Sequence, residues 1–134
     1  MNTSEIELDV MCEALTELDF YSRFIFISFN IHDLKLHEGE TMPDLTIIQN
    51  KCNEIRPSVY SKYALKYLRE ERIKKLKESD IYGLSDFPFA NDTIKQAWLT
   101  YRQALRDLPA NSPNVSIDLN TGELIGVTWP VPPS

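Results

Sequence analysis

Residues 91–109, NDTIKQAWLTYRQALRDLP, decide how this chain folds. Asn91 or Asp92 can accept hydrogen bonds from the free amides of a first helical turn. Ile94, Ala97, Trp98, Tyr101, Leu105 and Leu108 then recur at steps of three and four, one face of a helix. Pro109 cannot continue that helix. Arg102 and Arg106 lie four apart and project from one side, with Asp107 next. Two readings follow. Either Trp98, Tyr101 and the arginines engage a partner, being the residue types that dominate interface hot spots, or the aromatics are core and the arginines solvated. Apolar residues at helical spacing usually face a core, which favours the second.

Composition sets the frame. A chain of 134 residues fits one domain, or a small domain with an extension. Its 43% hydrophobic and 25% charged residues are those of an ordinary soluble protein. Four glycines argue against a glycine-rich phosphate loop. A net charge of −6 gives no expectation of nucleic-acid binding. Charge is nevertheless segregated: −8 over residues 1–55, +5 over 56–79 and −3 over 80–134. The basic block is explained by complementarity with the acidic N-terminal half, by a solvated helix face, or by an acidic partner.

Towards the N-terminus, Ser4 and Glu7 have capping-box spacing. Leu8, Met11, Cys12, Leu15 and Leu18 make a helical stripe, giving a first helix over about 5–20. Residues 20–31, FYSRFIFISFNI, have high β-propensity but no clean alternation. A buried strand would need a pairing partner that nothing nearby supplies, so a buried helix packed on the first is favoured. Phe24, Phe26 and Phe29 in this run are candidates to face a partner subunit, because so many apolar residues are hard for a small domain to cover. The run is too short to span a bilayer, and Arg23 interrupts it. Thr41 and Pro43 suit the start of a further helix. Its stripe of Leu45, Ile48, Cys52 and Ile55 stops at Arg56-Pro57, where a second helix of about 22 residues, on the order of 33 Å, opens. Its tyrosines Tyr60, Tyr63 and Tyr67 read better as core with wet hydroxyls than as stacking partners for bases.

After Asp80 the text becomes loop, anchored by Phe87 and Phe89. Beyond Pro109, VSIDLNTGELIGVTW reads as a β-hairpin turning at Asn120-Thr121-Gly122. The end, Trp129-Pro130-Val131-Pro132-Pro133-Ser134, is extended and proline-stiffened. The fold expected is mainly α: a helical N-terminal half, residues 1–68, joined by a long helix to a small α+β C-terminal domain, residues 69–134, with a β-hairpin.

No dinucleotide fingerprint, Walker loop, H-E-x-x-H, C-x-x-C or nucleophile elbow is present. His32 and His37, five apart, lack metal-ligand spacing. Cys12 and Cys52 read as free, buried thiols of a reducing compartment. The start, MNTSEIELD, has no signal-peptide pattern. A non-enzymatic protein without cofactor or metal is therefore expected, one that binds other proteins.

One resemblance extends this reading. Arg69, Arg72, Leu76, Asp80, Leu84 and Asp86, then W-x-x-Y-R-x-x-L-R-D-L-P over residues 98–109, then Trp129-Pro130-Val131-Pro132, resemble the tail assembly chaperone-like domain of tailed bacteriophages. The resemblance covers about residues 69–134; residues 1–68 match nothing nameable. Two departures stand out. Ile81-Tyr82 follows Asp80 where such domains often carry tryptophan, and a hairpin-like segment separates the helix from the terminal W-P. The family-matching positions are Trp98, Tyr101, Arg102, Leu105, Arg106, Asp107, Pro109, Trp129 and Pro130. One physical picture has Trp129 and Pro130 fold back on the Trp98/Tyr101 face with Arg102 or Arg106 bridging Asp80, Asp86 or the chain end, favoured because large aromatics at regular spacing go inside; alternatively the tail is a peptide read by a partner. The resemblance implies a phage accessory protein of tail or tail-fibre assembly, acting in the host cytoplasm on an unassembled tail protein. The alternative is a permanent component of the virion tail, baseplate or fibre attachment. A phage tail or tail-fibre protein is the expected partner and self-association is possible on this reading; nucleic acid and membrane are not expected.

Overall fold

The computed structural model describes residues 2–134 and is mainly α-helical, as expected. Its elements are α1 (Thr3–Glu17), β1 (Phe24–Phe26), β2 (Lys35–Leu36), α2 (Leu45–Glu78), α3 (Asp92–Asp107), β3 (Ser116–Ile117) and β4 (Leu124–Ile125). They divide into two compact units. The first runs to Tyr63 and takes in Ile117–Glu123; the second comprises Ala64–Ser116 and Leu124–Ser134.

Asn2, rather than Ser4, caps α1: its Oδ1 accepts from the Ser4 amide at 3.0 Å. Glu7 does not close a capping box, because its carboxylate is drawn to Arg56 of α2, whose Nε lies 3.0 and 3.1 Å from the two oxygens. The buried stripe of α1 is Ile6, Val10, Met11, Ala14 and Leu15, rotated from the expected one so that Leu8 reaches solvent. The helix also ends three residues early. Asp19 adopts φ 60°, and the amides of Asp19 and Phe20 return to Thr16 O and Leu15 O at 3.1 and 2.8 Å. That is the Schellman arrangement, normally closed by glycine.

This turn sends residues 20–31 away from helical geometry, and the helix expected there is corrected. A 3-10 turn at Tyr21–Arg23 leads into β1, which pairs antiparallel with β2, Phe24 opposite Leu36 and Phe26 opposite Lys35, across an irregular register. The strand partner lay ten residues on, in a stretch too polar to announce itself. Phe24 turns inward and is buried, while Ile25 and Phe26 face out.

α2 is one helix of 34 residues, not two. Asp44 caps it, its Oδ1 accepting from the Thr46 amide at 2.9 Å, so Thr41 and Pro43 stay outside. Pro57 lies inside, where it removes one ladder hydrogen bond. Burial explains the continuity, because Ile48, Cys52 and Ile55 before the proline and Val59 and Tyr60 after it form one stripe of the first unit's core. Cys52 Sγ meets Met11 Sδ at 4.0 Å, and Lys51 reaches Glu17 at 3.4 Å.

β3 and β4 form a second two-stranded sheet. Asp118 Oδ1 accepts from the amides of Asn120 and Thr121, and Gly122 takes φ 73° as the turn sequence demands. Gly126 is equally constrained: at φ +77°, an added Cβ would lie 2.4 Å from Asn114 O.

Asp19 is the residue that ends α1 under strain, since a left-handed conformation costs a non-glycine residue about 1–2 kcal/mol. Asp19→Gly is expected to raise stability by about 0.5–1 kcal/mol after the glycine's extra unfolded-state entropy is set against it. Urea unfolding followed by circular dichroism measures the difference.

Candidate functional site

The 98–109 motif organises the second unit through Arg102. A guanidinium expected in solvent is instead buried, with 8% of the residue exposed. Its Nη1 donates to Leu76 O and Ser79 Oγ, both at 2.8 Å, and its Nη2 to Asp80 Oδ1 at 3.0 Å. Leu76 O belongs to the last turn of α2, where carbonyls lack helical partners and the macrodipole favours a cation. Arg102 thus caps α2 from α3. Ser79 Oγ donates onward to Lys75 O and Leu76 O, at 3.0 and 3.1 Å. Gly83 lies against the guanidinium; a Cβ there would sit 3.2 Å from Nε. Arg72 of α2 makes the reverse contact, donating from Nη1 to Arg106 O at the end of α3, at 3.0 Å. Each helix end is closed by an arginine from the other helix.

Around this junction Trp98 stacks on Tyr82, with ring centroids 3.8 Å apart and planes 12° from parallel. Tyr101 meets Trp98 edge-on at 5.7 Å, and Phe87 and Phe89 close on Tyr82 at 5.0 and 6.4 Å. Burial raises the Tyr101 hydroxyl above its ordinary pKa, with a smaller push from Glu78. Leu105 and Leu108 are core. Arg106 and Asp107 remain exposed, each bonded to Gln103, at 3.5 and 3.0 Å. Pro109 follows the helix and its carbonyl accepts from Ser112 N at 3.3 Å. Trp129 and Pro130 are half-buried, and Lys75 Nζ lies 5.3 Å from the Trp129 ring centroid. The bridge from Arg102 goes to Asp80, one of the three acceptors the sequence offered.

In the first unit the candidates separate. Phe24 is core. Phe26 and Phe29 are 51% and 54% exposed, alongside Ile25 at 66% and Tyr21 at 49%. Lys35 Nζ sits 6.0 Å from the Phe26 ring centroid. These side chains make an apolar ribbon at the first β-pair.

Ser79 and Gly83 were missed as parts of the Arg102 site. A small hydroxyl residue ending a basic helix, followed by aspartate and a loop glycine, is the signal that was available. Burial raises both thiols, Cys52 by desolvation foremost and Cys12 by desolvation and then Asp9, so both are protonated at neutral pH. Among the described residues no group of three or more His, Cys, Asp or Glu is placed to hold a metal, and no helix is long and apolar enough to cross a membrane.

Arg102→Ala would remove the guanidinium's bonds to Leu76 O, Ser79 Oγ and Asp80 Oδ1. The expected loss is about 2–4 kcal/mol, against less than about 0.5 kcal/mol for exposed Arg106→Ala. Thermal and urea unfolding of the two variants side by side check this.

Comparison with known proteins bears on the same segment. Residues 65–134, just over half of the chain, match the family described as phage tail assembly chaperone protein. No curated protein and no solved structure matches the chain. The chain therefore belongs to the phage tail assembly chaperone family, and its role lies in phage tail assembly.

Proposed function

We propose that this member of the family is a non-enzymatic accessory protein that holds an unassembled tail or tail-fibre protein in the host cytoplasm and releases it on assembly. The carrying observation is the apolar ribbon of Tyr21, Ile25, Phe26 and Phe29, each about half exposed or more. Singly exposed apolar residues are ordinary, but several in one short segment mark an interaction surface. Fully burying such a side chain contributes roughly 1.5–3 kcal/mol. Association itself costs at least about 4 kcal/mol. Three or four side chains therefore give a grip that is specific yet reversible, which suits a protein that must let go.

On this reading the 98–109 motif is architectural. Its arginine and aromatics are occupied within the second unit, and the helix contributes stability rather than contacts. A permanent place in the tail, baseplate or fibre attachment is the second reading; it draws on further apolar side chains exposed in the second unit, Ile81, Leu84 and Val131.

Phe26→Asp in the full chain is expected to abolish co-purification with the tail protein while shifting stability by less than about 0.5 kcal/mol, because half of the ring is already in water. Undiminished co-purification contradicts the ribbon as the contact. Mass spectrometry of purified virions separates the two roles: a released accessory protein is missing, and a tail component is present at stoichiometric copy number.

A further inference from the structure

α1 and α2 carry opposite charges on exposed faces of nearly equal length. On α1, Glu5, Asp9, Glu13 and Glu17 recur every fourth residue and all are exposed, Asp9 also accepting from Tyr63 and Glu17 pairing with Lys51. They span about 18 Å at the helical rise. Asp9, Glu13 and Glu17, with Tyr21 and Lys62, line a groove of about 470 Å³ in the first unit. On α2, Lys66, Arg69, Ile73 and Lys77 recur at steps of three and four, also exposed, over about 16 Å, with Glu70 the one acid among them, so the face is net basic. Among the described residues Lys66, Arg69 and Lys77 make no ion pair, although the chain as a whole is acidic. The stretches also agree in apolar content, for Leu8 lies exposed beside the acidic row as Ile73 lies within the basic one.

We infer that the acidic groove of one copy takes the basic face of α2 from a second copy. Sign, length and apolar content match within a single sequence, so no other species is required. Each copy carries both surfaces, so residues of one face meet residues of a different face on the second copy. Exposed ion pairs contribute little singly and are screened by salt, so the association is salt-sensitive. It shares Tyr21 with the apolar ribbon but not Ile25, Phe26 or Phe29, and Phe26→Asp leaves it unaltered.

The test is sedimentation velocity of the full chain in about 50 mM and about 500 mM NaCl. At low salt the weight-average mass is expected to exceed the 15.5 kDa of the monomer. At high salt it should return to that value, with the apparent Kd weakened roughly tenfold or more. Two charge reversals, Lys66→Glu with Arg69→Glu in one chain and Glu13→Lys with Glu17→Lys in another, alter only exposed side chains; circular dichroism verifies that each keeps its helices. Each is expected to be monomeric alone at low salt, and mixing the two is expected to restore association. A wild-type chain that stays monomeric at low salt overturns the inference and leaves these faces to a partner of different sequence. Association that survives both reversals, or that mixing fails to restore, overturns it equally.

Discussion

The second unit depends on a cation placed at the end of a helix. Arg102 brings a guanidinium to the last turn of α2, adding charge-assisted bonds to a carbonyl and to a serine hydroxyl that already bond to each other. Asp80 compensates the charge from the solvent side, its side chain 64% exposed. Arg72 answers from α2 by closing α3 at Arg106 O. This exchange ties α3 to α2 by polar contacts alone, and Trp98, Tyr82 and Tyr101 pack beside it. Apolar packing tolerates small slips, whereas two hydrogen bonds of 2.8 Å from one planar group do not.

Much of this was legible in the sequence, for reasons that can be named. α3 carries a cap, a stripe and a stopping proline, and all three agree. The hairpin turn was readable because Gly122 supplies the positive φ it needs. The misses came where a distant contact overrode a local rule. Pro57 is a helix breaker by propensity, yet a buried stripe running from Ile48 to Tyr60 holds α2 together across it. Residues 24–26 had no evident strand partner because Lys35-Leu36 is too short and polar to look like one. Arg102 looked like a surface residue because its acceptors, a carbonyl, a hydroxyl and a carboxylate, lie 22 to 26 residues away. Side-chain charge was visible; the helix end that needed it was not.

An assembly factor has to keep apolar surface available without collapsing on it. The two units divide that problem. In the second, Trp98 and Tyr101 of the family motif pack edge to face, and the Arg102 guanidinium and the Ser79 hydroxyl are hydrogen-bonded. In the first, Phe24 commits to the core while Ile25 and Phe26 are exposed; strict alternation would return Phe26 to the face of Phe24, and the register is irregular between those two residues. A helix over the same residues would have distributed these side chains around its circumference. The short, irregular pairing with β2 instead leaves Ile25 and Phe26 both exposed beside a buried Phe24.

The central claim is that the ribbon meets the tail protein while the 98–109 helix holds the fold. Hydrogen–deuterium exchange of the chain, alone and with the unassembled tail protein, tests it most directly. The account predicts new protection over residues 21–29 and unchanged exchange over 98–109. New protection confined to 98–109, with residues 21–29 exchanging as before, would contradict it.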